Sequence, residues 1–468
     1  MNERIGVALS AALLAACGSL TPRYDRPAAP VAAAFADAAP AAAGAAQPAD
    51  AIEWQSYFGD ERLKRLITLA VANNRDLRVA VLAIEQARAQ FDIRRADVWP
   101  TVSAGVSGTR QPNTNRSVGG TTSLYSAGFA VTSYELDLFG RVHSLSQAAL
   151  AQLLATEEAR KTVQIGLIAA VANTYLALMA DDELLAVTRQ TLATREESMK
   201  LTQLKFDNGA SSELDLRLAE SLLEGARVAL AQQTRQRALD ENALVLLLGQ
   251  PLPSDLPAGL SVSSQQLMPD LPAGVPSDVL TRRPDVRAAE QQLIAANANI
   301  GAARAAFFPR ITLTGSVGTA SSELSGLFKS GSFAWTFAPQ ALLTVFDAGR
   351  NQANLDVAKV SRDIAVAQYE HAIQTAFREV SDSLAGRATL GEQVRAQLAQ
   401  ARAEETRLRL ADLRYRNGAA SALDVLDAQR SLFAAQQAAV QVQALQVQNL
   451  VTLYKVLGGG WKDAGASR

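Results

Sequence analysis

The sequence predicts an α+β fold, mainly helical, in which one helix–strand–strand–helix–helix unit occurs twice. Three observations support this prediction. Motifs in the first half of the 468-residue chain recur at one fixed offset, long segments without helix breakers carry apolar residues every seven positions, and each half contains two segments in which apolar and polar residues alternate. These patterns indicate duplication, packed long helices and half-exposed strands, respectively.

The duplication has an offset of 209 residues. The matched segments are Asp76-Leu77-Arg78 with Asp285-Val286-Arg287, Pro100 with Pro309, Gly140-Arg141 with Gly349-Arg350, Asn208-Gly209-Ala210 with Asn417-Gly418-Ala419, and Gly249 with Gly458. Solenoid repeats are much shorter than this, so the offset indicates two copies of one large unit. We expect the copies at residues 54–249 and 285–458, a proline-rich equatorial linker at 250–284 and a tail at 459–468.

A short apolar run, IGVALSAALLAA, occupies residues 5–16 and ends in small residues directly before Cys17. It is long enough for a signal peptide and too short for a spanning helix. The run resembles a bacterial lipoprotein signal, which implies removal of residues 1–16 and acylation of the Cys17 thiol. The alternative is an ordinary signal peptide with an incidental cysteine. Residues 17–53, rich in Ala and Pro, predict an extended tether, with folded structure starting near Trp54.

Each copy contains two predicted strands. In the first copy a helix over residues 60–98 precedes strands at 101–110 and 122–136, and in the second copy the strands lie at 310–319 and 332–345. Apolar residues alternate with small or polar ones along each strand. This period of two predicts a sheet with one apolar face and one small, polar face.

Helices of about 65 residues are predicted at 141–206 and 350–415, and each would be roughly 100 Å long. Apolar residues recur every seven positions at Val171, Leu178, Leu185, Leu192, Met199 and Phe206, and again in the last helix at Leu426, Phe433, Val440, Val447 and Tyr454. Sustained sevens predict coiled-coil packing of neighbouring helices. The Asn-Gly pairs that follow the long helices predict that each helix folds back as a hairpin.

Four amphipathic strands per chain cannot close a barrel, and an open edge in lipid leaves unpaired backbone groups. Two chains would give eight strands and a filled interior, whereas three would give twelve strands around a lumen. The alternative is a soluble sandwich or hairpin pair packed on the helices. In the last helix, a small and polar stripe predicts either a channel lining or an outward solvated face. It comprises Asp427, Arg430, Ala434, Gln437, Gln441, Ala444 and Gln448.

Composition excludes several classes of function. A net charge of −1 offers no electrostatic basis for binding nucleic acid. With only His143, His371 and one cysteine, the sequence predicts no catalytic residues, no metal site and no cofactor. The most apolar later segment, residues 163–180, is interrupted by polar residues, so no helical membrane span is predicted.

Several motifs together identify a family resemblance. They are Arg282-Arg283-Pro284-Asp285-Val286-Arg287, Ala303-Arg304-Ala305-Ala306-Phe307-Phe308-Pro309, Tyr134-Glu135-Leu136-Asp137-Leu138-Phe139-Gly140-Arg141, Tyr415-Arg416-Asn417-Gly418 and Asp427-Ala428-Gln429-Arg430. Over nearly all of the mature chain, the sequence resembles the outer membrane factor family of the TolC and OprM type, in its NodT-like lipoprotein branch.

The resemblance implies a homotrimer with a twelve-stranded transmembrane β-barrel, four strands per chain, continuous with a long periplasmic α-helical barrel. It implies a lipid-anchored location in the outer membrane through acylated Cys17. It also implies two partners, a periplasmic adaptor (membrane fusion) protein and an inner-membrane transporter of the resistance-nodulation-division (RND) type. The duct would export small molecules such as drugs or metal ions and perform no chemistry.

The resemblance also assigns roles to residues of the two turns. It implies a periplasmic gate near the start of the last helix, at Leu423, Asp424 and Asp427 with Arg430 as a pairing partner. For Asp424 the alternative is a helix cap. It further implies that the turns Asn208-Gly209 and Asn417-Gly418 are the tips on which the adaptor docks. Two other functions stay open: a type I protein-secretion duct of the same fold, and a structural envelope lipoprotein that forms no channel.

Overall fold

The computed structural model describes residues 19–32, 34–35, 49–112, 120–265, 267 and 282–462. The helices are α1 (Trp54–Tyr57), α2 (Glu61–Asn73), α3 (Arg75–Ala96), α4 (Arg141–Asp207), α5 (Glu213–Leu248), α6 (Pro284–Ala305), α7 (Arg350–Arg416) and α8 (Ala422–Val456). The strands are β1 (Val102–Pro112), β2 (Thr121–Leu136), β3 (Arg310–Ser321) and β4 (Phe333–Leu342).

The described residues form two compact units, and each unit draws segments from both sequence copies. One unit contains the described part of 1–28 together with Leu82–Glu157 and Ala288–His371. The other contains the described parts of 29–81, 158–287 and 372–468. A boundary between the sequence copies is therefore not a boundary between compact units.

The first unit holds an antiparallel sheet in the order β1-β2-β3-β4, in which each strand pairs with its neighbours in the chain. The C-terminal ends of three strands differ from the sequence prediction, since β1 and β3 run two residues further and β4 stops at Leu342 instead of 345. The starts of β1, β2 and β4 each differ by one residue. Leu342 pairs with Arg310, the first residue of β3. The register therefore reaches the start of β3 at Leu342, so residues 343–345 lie beyond the β3 pairing.

Rows of side chains cross the sheet with the predicted two-faced character. Ala104, Phe129, Val317 and Trp335 form one row across all four strands. The large members of this row are exposed, with Trp335 69% accessible. The adjacent row, on the opposite face, is Ser103, Ala130, Ser316 and Thr336.

On the small face, two glycines allow the central strands to approach closely. Gly128 pairs with Gly318, and a Cβ built on either residue would collide with the carbonyl of the opposite strand. A cavity of about 440 Å³ lies against this face. The apolar face carries the large side chains, and the small face leaves room for a lumen.

The long helices α4 and α7 contain 67 residues each, which corresponds to roughly 100 Å. Three members of the seven-residue ladder in α4, Val171, Leu178 and Leu185, are at most 4% exposed. The other three, Leu192, Met199 and Phe206, are half-buried. One stretch of α4 is apolar enough to cross a membrane, but most of it is buried within the protein. Burial by packing explains this composition.

The predicted helix over residues 60–98 is in fact two helices, α2 and α3, separated at Asn74. The Asn74 side chain accepts a hydrogen bond from Leu77 N and donates one to Leu247 O, both at 2.9 Å. Asn74 thereby caps α3. The sequence prediction missed this break because Asn74 is one polar residue within an otherwise helical pattern.

The tether predicted at residues 17–53 is also partly wrong. In the first unit, residues 19–28 contact α6, as in the ion pair of Arg26 with Glu290. In the second unit, Phe35 is buried and stacks on Phe377 at a centroid distance of 4.6 Å. These contacts come from the few polar and aromatic residues among the Ala and Pro of this segment. A prediction from the average composition of the segment could not detect them.

The polar stripe predicted on α8 is not a continuous solvent-facing surface in this chain. Arg430, Ala434 and Gln441 are exposed. Ala444, by contrast, is buried in a cluster with Val262. A spacing of 3.5 residues drifts around a helix with 3.6 residues per turn, so a long stripe moves from one face to another.

Asp181 is a buried carboxyl group in α4, only 6% exposed. Burial, and then a hydrogen bond with Asp240, raises the pKa of Asp181 to about 7. Between pH 3.8 and about 7 the folded protein therefore holds a proton that the unfolded chain has lost. Stability falls as pH rises through this window.

We expect Asp181→Asn to raise the thermal unfolding temperature more at pH near 8 than at pH near 5, because the amide stays neutral at both. Glu197→Gln is the control. Glu197 is an exposed carboxyl group on the same helix and does not contribute to the pKa shift of Asp181, so its substitution should give no such gain. An equal gain for Asp181→Asn at both pH values would contradict the assignment.

Candidate functional site

The second unit contains the turns of two helical hairpins, α4–α5 and α7–α8, and the two turns have the same backbone geometry and capping. Gly209 and Gly418 have φ values of +70° and +72°, and both turns are exposed. After each turn, a serine caps the next helix. Ser212 and Ser421 form capping boxes with Asp215 and Asp424, respectively. Glycine tolerates the left-handed backbone that ends one helix, and the capping box satisfies the free N–H groups of the next.

Asp424 has a structural role in its own chain. Its Oδ2 accepts hydrogen bonds from Ser421 N at 2.9 Å and Ser421 Oγ at 2.8 Å. These bonds lower the pKa of Asp424. Asp215 makes the corresponding contacts with Ser212 in the first copy. The capping alternative for Asp424 is therefore present in the structure.

Asp427 lies between two arginines from different helices. Its Oδ2 accepts from Arg407 Nη2 of α7 at 2.6 Å, and its Oδ1 accepts from Arg430 of α8. The hydrogen bonds from Arg407, and then those from Arg430, lower the pKa of Asp427. Asp427 is consequently ionised at neutral pH. The Arg407–Asp427 pair loses strength only as pH falls through that lowered pKa.

Arg407 is the member of this cluster that sequence reasoning missed. It stands ten residues before Asn417, and Asp427 stands ten residues after it. In a helical hairpin, residues equally distant from the turn come side by side. A search for opposite charges placed symmetrically about Asn417 would have identified the pair.

The first copy does not contain this cluster. Ser198, Leu218 and Ser221 occupy the positions that correspond to Arg407, Asp427 and Arg430 at the 209-residue offset. Arg217 instead pairs with Glu213 and Glu220 of its own helix. The Arg407–Asp427 connection near the turn is therefore specific to the second copy, although α4 and α5 of the first copy share an ion pair further from the turn, between Asp182 and Arg237.

The remaining predicted gate residue, Leu423, is 56% exposed. A second connection joins α4 to α7 near their ends. Lys205 Nζ donates to Tyr415 Oη at 2.6 Å and lies 4.3 Å from the ring centroid. Neither Lys205 nor Tyr415 was predicted from the sequence to connect these helices. Together, the two connections tie α7 to α8 and to α4.

The arrangement can hold helix ends together and present charge, but it offers no catalytic constellation. Within the described ranges, no group of three or more His, Cys, Asp or Glu residues could hold a metal ion. Cys17, the predicted acylation site, lies outside the described residues. The exposed charges and exposed turns are suited to binding other chains.

Comparison with a family model gives two matches to this chain. The model, described as "Outer membrane efflux protein", matches residues 66–250 and 275–459. Both the starts and the ends of these matches differ by 209 residues. The comparison therefore reproduces the internal offset found in the sequence.

Similar proteins cover nearly the whole chain. "Toluene efflux pump outer membrane protein TtgC" of Pseudomonas putida is 48% identical over 98% of this chain and 96% of its own length. "Outer membrane protein OprJ" of Pseudomonas aeruginosa is 46% identical over 99% and 97%, respectively. The open-state structure of the Neisseria gonorrhoeae MtrE outer membrane channel has a TM-score of 0.86 and 43% identity, covering 95% of this chain and 99% of that one.

Proposed function

Because the chain belongs to the outer membrane efflux protein family, we propose that it is the exit duct of a tripartite efflux pump. It is an outer-membrane efflux channel and not an enzyme. The observation that carries the proposal is the four-stranded sheet, with large exposed apolar residues on one face and small residues on the other. Small molecules would pass along the small face, while the transporter supplies the energy.

We propose that three chains share one twelve-stranded barrel. β1 and β4 are the edges of the described sheet, and lipid offers no hydrogen-bond partner to an edge. The helices also carry an unpartnered apolar face, because Val357, Val360 and Ile364 of α7 are each more than half exposed. Their spacing places them on one side of α7, where a second copy of the chain would cover them.

The two faces of β4 provide a test of the duct. Trp335→Arg puts a charge on the apolar face, where it costs up to about 2–4 kcal/mol in lipid, so fewer trimers should assemble in the outer membrane. Thr336→Arg is the matched control on the other face. It should assemble normally and shift ion selectivity towards anions in planar bilayers.

Native mass spectrometry would count the chains. Normal assembly of Trp335→Arg together with failure of Thr336→Arg would reverse the assignment of the two faces. A stable two-chain channel would contradict the trimer.

We propose that Asp427, held by Arg407 and Arg430, closes the periplasmic end, with Leu423 beside it. In a trimer, three copies of this cluster would surround the axis, and a ring of charge controls passage through a pore. Asp424 would contribute charge to the ring while it caps α8. Opening would require α7 and α8 to exchange their ion pairs for other contacts.

Removal of the cluster should raise the resting conductance. We expect Asp427→Ala, Arg407→Ala and Arg430→Ala each to increase single-channel conductance or open probability several-fold, because each weakens the closed state. Arg217→Ala, which loses only pairs within α5, is the control and should conduct like the wild type. Unchanged conductance in all three variants would refute the gate assignment.

We propose that the adaptor docks on the tips Asn208-Gly209 and Asn417-Gly418. Both tips are exposed, and a Cβ built on either glycine would meet no atom within 4 Å. The adaptor would connect the duct to an RND-type transporter in the inner membrane. The efflux names of the relatives favour this pump over a protein-secretion system.

The lipid anchor is part of the same proposal. We expect Cys17→Ser to abolish incorporation of labelled palmitate, because serine lacks the thiol that is acylated. Ser19→Ala, two residues away, should keep the label. Equal labelling of the Cys17→Ser variant and the wild type would remove the anchor from the proposal.

A further inference from the structure

Residues 19–28, here called the strap, lie along α6 in the opposite direction to the helix. Three contacts mark their course along it: Arg304 Nη1 donates to Leu20 O at 3.1 Å, Asn297 Nδ2 donates to Pro22 O at 2.8 Å, and Arg26 Nε donates to Glu290 Oε1 at 2.6 Å. As the strap residue number rises, the number of the α6 residue it meets falls. The start of the strap is thus at the end of α6 that leads into β3.

The lengths of the two segments agree with this arrangement. The strap takes six residue steps from Leu20 to Arg26, and an extended chain covers about 20 Å in six steps. The helix takes fourteen steps from Glu290 to Arg304, which rise about 21 Å. The contacts are therefore consistent with a strap that lies extended along the helix.

Glu290 fastens the far end of the strap. Its side chain is only 10% exposed, and both carboxylate oxygens accept from Arg26, at 2.6 and 2.9 Å. Tyr24 Oη adds a third bond at 3.0 Å. Burial, and then Glu290, raises the pKa of Tyr24, so its hydroxyl remains a donor. All three of these donors belong to the strap, so detachment of the strap breaks all three bonds at once.

Gly301 provides the seat for the strap near its start. A Cβ built on Gly301 would collide with the Thr21 hydroxyl and lie 2.9 Å from Thr21 Cα and 2.7 Å from Ser144 Oγ. Thr21 and Ser144 hydroxyls are themselves 3.1 Å apart. Glycine weakens the interior of a helix relative to alanine. Its occurrence in the last turns of α6 is explained by the close approach of the strap.

We propose that the strap fixes the position of the acylated N-terminus at the barrel end of α6, and that Glu290 is the positioning residue that locks it. The proposal rests on the acylation of Cys17 proposed above. Leu20 meets α6 only six residues before β3 begins at Arg310, and Cys17 precedes Leu20 by three residues. Three residues reach at most about 10 Å. The acyl chains would therefore enter the membrane next to the strands of the same chain.

Trypsin reports the docking of the strap in the intact, detergent-solubilised protein. The Arg23–Tyr24 bond is a cleavage site, whereas Arg26 is followed by Pro27, which blocks cleavage. Cleavage at Arg23 removes the acylated end, and mass spectrometry of the chain detects the loss. A docked backbone must detach from α6 before it enters a protease.

We expect Glu290→Gln to speed this cleavage roughly tenfold or more, because it removes charge-assisted hydrogen bonds. Gly301→Ala should also speed it, by displacing the strap while favouring the helix. Gln292→Ala, an exposed change on the same helix, is the control and should be cut like the wild type. Cleavage elsewhere in the chain should not change in any variant.

Palmitate labelling of the same samples separates this proposal from the anchor itself. Labelled variants with accelerated cleavage would support the lock. Wild-type cleavage rates in both Glu290→Gln and Gly301→Ala, with label retained, would overturn it. An unlabelled wild type would instead overturn the anchor and the positioning role that depends on it.

Discussion

Unpaired backbone groups at the edges of the sheet are the constraint on which the assembly depends. Each chain supplies four strands, with β1 and β4 at the edges of the described sheet. In water an edge strand can hydrogen-bond to solvent, but in lipid it cannot. The two faces of the sheet also need different surroundings. Trp335 on the apolar face needs apolar contacts, whereas the Gly128–Gly318 pair on the small face has no side chains. Sharing edges between copies satisfies the backbone and encloses the small face at once.

The two sequence copies share their secondary structure but differ in the charged residues near their turns. Both copies keep the strand pair, the long helix, the glycine turn and the serine capping box, because these features set backbone geometry. The Arg407–Asp427 connection occurs in the second copy alone, where the first has Ser198 and Leu218. Local backbone requirements were thus retained twice, whereas the Arg407–Asp427 ion pair beside the turn is found in one hairpin.

The N-terminal segment extends the same logic to the proposed lipid anchor. A barrel that forms only between chains would benefit if each chain were held at the membrane beside its own strands. The strap begins at the end of α6 that leads into β3 and runs back along the helix, where it contacts Gly301 and Glu290. An acyl group on a slack tether would hold the chain at the membrane but leave its strands anywhere within reach.

The sequence alone determined the duplication, the four strands, the long helices and the turns, because these depend on periodicity and on backbone preferences that a linear chain displays. The resemblance to the outer membrane factor family led to Asp427 and Arg430 as gate candidates. Tertiary structure decided what depends on distant residues meeting: Arg407 beside Asp427, the cap at Asn74 bonded to Leu247, the burial of Ala444, and the strap on α6. Periodicity identifies an element and its faces, but only the packed chain reveals which side chains meet.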